Sequence, residues 1–176
     1  AQCLVGSEMC IRDRDIREAL LELVNSESVR YSYMAIEKII IVMMRDYLKA
    51  QNKRLLAENE VMHRISDMIL PDGIDNEDGC IAVEIKLYRH KQMSLRLIYD
   101  TIGRFSINRG EINKLLLIVV NELPEGIRNR IEEKKKQLNF ELTIWDIDDL
   151  IRIFSNNENL FVETYNNCLL YTSPSP

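Results

Sequence analysis

The segment KLLLIVVN at residues 114–121 constrains the fold of this chain more than any other feature, because it is a continuous apolar run. Such a run, with no alternation of apolar and polar residues, is typical of a strand that is buried on both faces of a sheet. Residues 93–105, which precede it, have apolar side chains at helical spacing. A strand reached through a helical crossover pairs in parallel with the strand before the helix. The sequence therefore predicts an α/β domain.

The other segments extend this pattern to the order ααβββαβαβα, with a mixed central sheet flanked by helices. Apolar periodicity and capping residues predict helices at 15–24, 31–50, 93–105, 125–137 and 146–154. Apolar runs bounded by turn residues predict strands at 53–60, 66–70, 80–87, 114–121 and 140–145. The first of these strands is ambiguous, because RLLAENE at 54–60 would also suit the end of a helix.

Both ends of the sequence lack the periodicity of packed elements, and their codons are related. Residues 8–14 can be encoded by GAG ATG TGT ATA AGA GAC AGN, and residues 168–173 by TGT CTC TTA TAC ACA TCT. The second is the reverse complement of the first, as in a sequencing adapter translated at both ends of a reading frame. We therefore expect 1–14 and 167–176 to be adapter-like rather than native, and 15–166 to form one domain, a fragment of a larger protein.

Charge, cysteine content and the length of apolar runs bear on the cellular location of this domain. The net charge of −5, with 29% charged residues, favours solubility and argues against a uniformly positive surface for nucleic acid. Three of the four cysteines lie in the adapter-like ends, which leaves Cys80 and no disulfide framework. The apolar run at 39–44 is far too short to span a bilayer. We expect a cytoplasmic protein with no membrane partner.

Basic residues are concentrated in one part of this acidic chain. Two acidic residues lie between positions 86 and 114, together with the seven basic residues Lys86, Arg89, Lys91, Arg96, Arg104, Arg109 and Lys114. Such a stripe is compatible with one anionic partner bound at one face. An ordinary solvated helix surface would explain it equally well.

The segment CIAVEIKL at 80–87 carries the first candidate catalytic residues. Strand alternation places Glu84 and Lys86 on one face with Cys80 and Ala82, and sets the opposite face with Ile81, Val83, Ile85 and Leu87. The loop PDGIDNEDG at 71–79 is rich in glycine, proline and acidic residues and predicts a turn. We therefore expect 66–70 and 80–87 to form an antiparallel hairpin.

This hairpin determines which aspartate accompanies Glu84. Folding the strands about the loop sets Asp67 opposite Val83 or Glu84, with opposed positions about 5 Å apart. Asp72 lies in the loop and would be on the order of 10 Å or more from Glu84, at about 3.3 Å per residue. We predict Asp67 as the partner, with Asp72 as the alternative if a bulge changes the register.

Two carboxylates held this close repel each other unless a cation lies between them. Hard oxygen ligands with room for water and phosphate suit Mg²⁺. Lys86, two residues beyond Glu84 on the same face, would orient or help deprotonate a water, or neutralise charge on a phosphate. The alternative is a surface cluster of salt bridges between Asp67, Glu84 and Lys86.

A fourth candidate, Glu37, lies on the second predicted helix. It belongs to an otherwise apolar stripe at three- and four-residue spacing, which comprises Tyr33, Met34, Glu37, Ile40, Ile41, Met44 and Leu48. A carboxylate on such a face is costly without a partner. Glu37 is therefore expected either to pair with Lys86 or Arg45, or to reach the metal edge of the sheet.

These features together resemble the restriction-endonuclease-like PD-(D/E)xK nuclease superfamily, over residues 31–154. The resemblance rests on Asp67, the Glu-x-Lys motif at Glu84 and Lys86 on the next strand, and Glu37 on a preceding helix. It implies that Asp67 and Glu84 bind Mg²⁺, for which Mn²⁺ would substitute. It also implies that Lys86 assists the attacking water and that Glu37 completes the catalytic set.

The implied activity is endonucleolytic hydrolysis of DNA, with RNA less favoured, in restriction or antiviral defence. The phosphate backbone would be held by the basic stripe, and in particular by Arg89, Lys91 and Gln92. The resemblance also admits a homo-oligomer and a regulatory or sensor domain elsewhere in the parent gene. The competing reading is a non-catalytic module of the same fold that binds nucleic acid or protein.

Other enzyme classes find less support in the sequence. It contains no glycine-rich phosphate loop such as GxGxxG or GxxxxGKS. His63 and His90 are its only histidines, which leaves few groups for a nucleophilic hydrolase or a zinc site.

Overall fold

A computed structural model describes residues 15–25, 29–57, 66–88 and 94–170 and contains a five-stranded mixed sheet. The strands are β1 (Leu56–Ala57), β2 (Met68–Leu70), β3 (Ile81–Lys86), β4 (Lys114–Val119) and β5 (Glu141–Trp145), in that spatial order. The pairs β1–β2 and β2–β3 are antiparallel, whereas β3–β4 and β4–β5 are parallel. The α/β class, the hairpin and the parallel crossover were predicted and are confirmed.

Helices cover both faces of this sheet. They are α1 (15–25), α2 (Val29–Lys49), α3 (Leu95–Asn108), α4 (Glu125–Lys135), α5 (Ile147–Phe154) and α6 (Glu158–Leu170). One hydrophobic core joins α1, α2, α5 and α6 to the first face, and a second joins α3 and α4 to the other. In β4, Leu116 and Ile118 belong to the first core, and Leu115 and Leu117 to the second. This burial on both faces explains the continuous apolar run.

The predicted order of elements is confirmed as far as Phe154, but the chain continues in two elements that were not predicted. A 3₁₀ turn at Ser155–Asn157 leads directly into α6. Helix α6 buries Phe161, Thr164 and Cys168, spaced three and four residues apart. The prediction of no packed element from residue 168 onward is wrong for Cys168, which is 5% exposed and lies against the Ala35 carbonyl oxygen.

The predicted face of α2 also needs correction. Met34, assigned to the apolar stripe, is 60% exposed, whereas Ile36, Ile39 and Met43 are buried in the first core. The reason is that α2 packs against α5 and α6 as well as lying on the sheet, so its apolar residues cover more than one stripe. Glu37 is half-buried at the border of this surface.

The structure also bears on the predicted first strand and on the expectation that no segment spans a membrane. The predicted first strand at 53–60 is a two-residue strand, β1, and the residues after Ala57 up to 65 lie outside the described part of the chain. Among the helices that the structure describes, none combines the length and the apolar character needed to cross a bilayer.

Candidate active site

The β2–β3 hairpin places Asp67 beside Glu84. Met68 pairs with Val83 and Leu70 with Ile81, so Asp67, one residue before Met68, comes level with Glu84. The Asp67 Oδ2 atom accepts a hydrogen bond of 2.6 Å from the backbone N–H of Ile85. The register that the sequence indicated for this hairpin therefore brings the two carboxylates to neighbouring positions.

Asp72 has a different set of partners. It lies in the turn after β2, where its Oδ2 accepts from the Arg54 Nε at 2.8 Å and its Oδ1 from the Arg54 Nη2 at 2.7 Å. The Arg54 guanidinium lowers the pKa of the Asp72 carboxyl from 3.8 to about 2. A carboxylate already held by a bidentate arginine belongs to the loop rather than to the Glu84 site.

Lys86 contacts Glu84 directly. Its Nζ lies 2.8 Å from the Glu84 Oε2, and the two side chains are 22% and 19% exposed. Their neighbour Ile85 is in the first core, whereas Ala82, two residues before Glu84, is in the second. The predicted alternation therefore holds, and Glu84 and Lys86 lie on the face of the sheet covered by α3.

The electrostatics of Glu84 favour binding of a cation. Burial raises the pKa of the Glu84 carboxyl most, and the negative charge of Asp67 raises it further. The positive charges of Lys86 and Arg104 lower this pKa, but the net shift is upward. The cations already present therefore do not compensate the cost of ionising Glu84, and a further cation would relieve it.

Tyr33 of α2 is part of this site, although the sequence indicated only a core role for it. Its hydroxyl donates a hydrogen bond of 3.2 Å to the Asp67 Oδ1. Burial raises the pKa of the Tyr33 phenol most, and the charges of Asp67, Glu37 and Glu84 raise it further. The one sequence signal for this role is that Tyr33 lies four residues before Glu37, one helical turn away.

Glu37 is thus close enough for its charge to act on Tyr33. Within the described residues, however, no group of three or more His, Cys, Asp or Glu side chains has the arrangement of a metal site. The carboxylates that the hairpin register brings together are Asp67 and Glu84. This pair fits Mg²⁺, which is commonly bound by one or two carboxylates and completes its shell with waters and substrate phosphates.

A groove runs from this site along α3. It is lined by Lys86, Tyr88, Leu97, Tyr99, Asp100, Thr101, Gly103 and Arg104. The charge of Arg104 lowers the pKa of both Glu84 and Tyr88, so it acts on the Glu84 carboxylate. Arg104 was counted in the basic stripe but was not singled out as a site residue.

The basic stripe does not form one face. Lys86 pairs with Val119 at one end of the parallel strands, whereas Lys114 pairs with Ile81 at the other. Lys114 donates to the Asp78 carbonyl oxygen at 3.0 Å. The sequence left open whether the stripe binds one anionic partner or is an ordinary solvated surface. Lys86 and Lys114 lie at opposite ends of the sheet, because α3 carries the chain back along it before β4 begins.

The predicted backbone contacts Arg89, Lys91 and Gln92, and the histidines His63 and His90, lie outside the described residues.

Comparison with known proteins does not assign this chain to a family. No family model and no curated protein matches the sequence. The resemblance to the nuclease superfamily therefore continues to rest on Asp67, Glu84, Lys86 and Glu37 themselves.

The raised pKa of Glu84 leads to a prediction about stability. Below its ordinary pKa of 4.5, Glu84 is protonated in both the folded and unfolded states and has no effect. As the pH rises through the raised folded pKa, the unfolded state ionises more readily and the fold loses stability. Glu84→Gln should therefore increase the free energy of unfolding at neutral pH, and this gain should disappear in acid.

Urea unfolding at about pH 7.5 and about pH 3.5 would measure this difference. The matched control is Glu133→Gln, which removes an exposed glutamate from α4. A decrease in stability of Glu84→Gln at neutral pH would contradict the prediction, and would mean that the Lys86 ion pair outweighs burial.

Proposed function

We propose that this protein is a metal-dependent endonuclease with a restriction-endonuclease-like core of the PD-(D/E)xK type, which hydrolyses phosphodiester bonds in DNA. The observation that carries this proposal is the half-buried group formed by Asp67, just before β2, and by Glu84 and Lys86 on β3. A carboxylate with a perturbed pKa beside a groove, as Glu84 is, is typical of functional sites. The mixed sheet, with this hairpin leading into a parallel crossover, supports the same proposal.

Asp67 and Glu84 would hold the metal, Mg²⁺ or Mn²⁺ in its place. When bound, the ion would supply an activated water and neutralise negative charge on the phosphate. Asp67 has a defined orientation, because a donor binds each of its two oxygens. The Lys86 ammonium group lies beside Glu84. From this position it would donate a hydrogen bond to the attacking water or to a phosphate oxygen.

The groove along α3 would hold the DNA backbone. Its lining includes two cations, Lys86, which is paired with Glu84, and Arg104, whose charge acts on Glu84. Contacts of this kind bind any sequence, because phosphates carry no base information. We therefore propose a backbone-binding nuclease that acts as an effector in restriction or antiviral defence.

The second candidate function is a non-catalytic module of the same fold that binds nucleic acid. It is favoured by the direct Lys86–Glu84 ion pair, which is also typical of a structural salt bridge. The raised pKa of Glu84 supports the catalytic proposal instead, since a surface ion pair would lower it.

Nicking of supercoiled plasmid by the full chain tests the proposed function. We expect nicking with Mg²⁺ or Mn²⁺, none with EDTA, and none for Glu84→Gln under the same conditions. Glu133→Gln should cut at the wild-type rate, since this residue lies on the exposed surface of α4. If the folded protein binds DNA with either metal but cuts neither DNA nor RNA, the binding module is the better description.

A further prediction concerns the groove. Arg104→Gln should weaken DNA binding and lower the slope of log affinity against log salt by about one, the change expected for one lost phosphate contact. Lys114→Gln also removes one positive charge but at the opposite end of the strands, so it should leave the slope unchanged. Fluorescence anisotropy with Ca²⁺, over a series of salt concentrations, would measure both. Equal effects of the two variants would argue against the groove as the binding surface.

A further inference from the structure

The carboxylate of Asp67 is held from two different elements. The backbone N–H of Ile85, in β3, donates a hydrogen bond to Oδ2. The hydroxyl of Tyr33, in α2, donates a hydrogen bond to Oδ1. Asp67 lies just before β2, and the described pairing of β1 with β2 ends at Met68. The direction of the Asp67 side chain therefore depends on these two hydrogen bonds more than on strand pairing around it.

Tyr33 is well suited to this contact. Its ring is partly buried, and its phenol lies within the influence of three carboxylates, Asp67, Glu37 and Glu84. These charges favour the protonated phenol, so the hydroxyl remains a hydrogen-bond donor at neutral pH. Each carboxylate oxygen has two acceptor sites, so a donor on each oxygen still leaves one site on each for a cation.

We propose that Tyr33 is a positioning residue, which orients Asp67 toward a divalent cation bound with Glu84. This inference rests on the proposed function, because it presupposes a metal at the carboxylate pair. Outer partners of this kind fix the direction of a ligand, and their loss typically lowers metal affinity by about 10- to 100-fold. Tyr33 would also tie the site to α2, the helix that carries Glu37.

The same helix supplies a matched control. Tyr47 lies fourteen residues after Tyr33 on α2 and donates a hydrogen bond of 2.6 Å to the Asp75 Oδ1. Asp75 is exposed in the loop between β2 and β3, remote from Glu84 in the hairpin. Tyr33→Phe and Tyr47→Phe therefore each remove one phenol hydroxyl from one aspartate, but only the first acts on the proposed ligand.

Calorimetric titration of the full chain with Mn²⁺ tests the proposal without reference to cleavage. We expect Tyr33→Phe to bind Mn²⁺ about 10- to 100-fold more weakly than wild type, and Tyr47→Phe to bind within about twofold. In the nicking assay, the metal concentration for half-maximal rate should rise for Tyr33→Phe. The rate at saturating metal should recover, because the ligands themselves are intact.

The outcomes separate this inference from the function on which it rests. Mn²⁺ binding by Tyr33→Phe at wild-type affinity, or an equal loss in Tyr47→Phe, overturns the positioning role and leaves the metal site standing. If wild-type protein itself binds no Mn²⁺, the metal site and the positioning role both fail. Unfolding curves for the two variants would show whether a loss of affinity reflects a loss of fold.

Discussion

Asp67→Ala should reduce the rate of Mg²⁺-dependent plasmid nicking by more than about 100-fold, since losing only an outer partner of a metal ligand costs about 10- to 100-fold. Asp67 comes level with Glu84 in the hairpin, and its loss would leave one carboxylate to hold the metal. Asp72→Ala should nick at close to the wild-type rate, because Asp72 is bound to Arg54 in the turn. The initial rate of conversion of supercoiled to open-circular plasmid measures both effects.

The comparison also tests the register of the hairpin. Both changes remove one carboxylate from the same hairpin, so a general effect of charge on DNA binding would appear in both variants. A loss of nicking in Asp72→Ala with activity retained in Asp67→Ala would reverse the assignment. It would require the loop, rather than the strand, to supply the ligand. Urea unfolding of both variants would show whether a loss of nicking comes from unfolding instead.

The central part of the fold could be predicted because its signals are local. The apolar run at β4 requires burial on both faces, and the alternation around Glu84 and Lys86 sets their shared face. The glycine- and acid-rich loop indicates the turn of the hairpin. Once the turn is known, counting back along the paired strands places Asp67 near Glu84, with an uncertainty of about one or two residues from a bulge or a shorter turn.

What could not be predicted depends on contacts between distant parts of the chain. Helix α6 packs its buried face on α2, which lies more than one hundred residues earlier in the sequence. The residues of α6 alone do not show that this partner is present. Met34 has the same apolar character as Met43, and only the packing around α2 decides which of them is buried. Tyr33 likewise reads as a core residue until the hairpin brings Asp67 to it.

A second large effect is expected at Asn121, just after β4. Its side chain is 2% exposed and forms two hydrogen bonds of 2.7 Å. The Nδ2 donates to the Tyr88 carbonyl oxygen, and the Oδ1 accepts from the Glu122 N–H. Asn121→Ala would leave the buried Tyr88 carbonyl oxygen and the partly buried Glu122 N–H without these partners. An unsatisfied buried group costs about 1–3 kcal/mol, and the partly buried one costs less because water reaches it. We therefore expect a loss of about 2–4 kcal/mol in the free energy of unfolding.

Urea unfolding at neutral pH would measure this loss, with Asn108→Ala as the control. Asn108 is exposed at the end of α3 and donates to one helix carbonyl, so its replacement should change stability by less than about 0.5 kcal/mol. Equal effects of the two variants would mean that water replaces the bonds of Asn121.

Asn121→Ala also serves as a control for the effect of Tyr33→Phe on Mn²⁺ affinity. Asn121 holds the backbone of Tyr88, two residues beyond Lys86, but it touches neither Asp67 nor Tyr33 in the described contacts. Asn121→Ala should therefore lower stability and leave Mn²⁺ affinity close to wild type in the fraction that remains folded. Tyr33→Phe should have the opposite pattern, with a large loss of affinity and a small loss of stability. If both variants lost affinity in proportion to stability, metal binding would depend on the rigidity of the whole sheet rather than on the direction of one carboxylate.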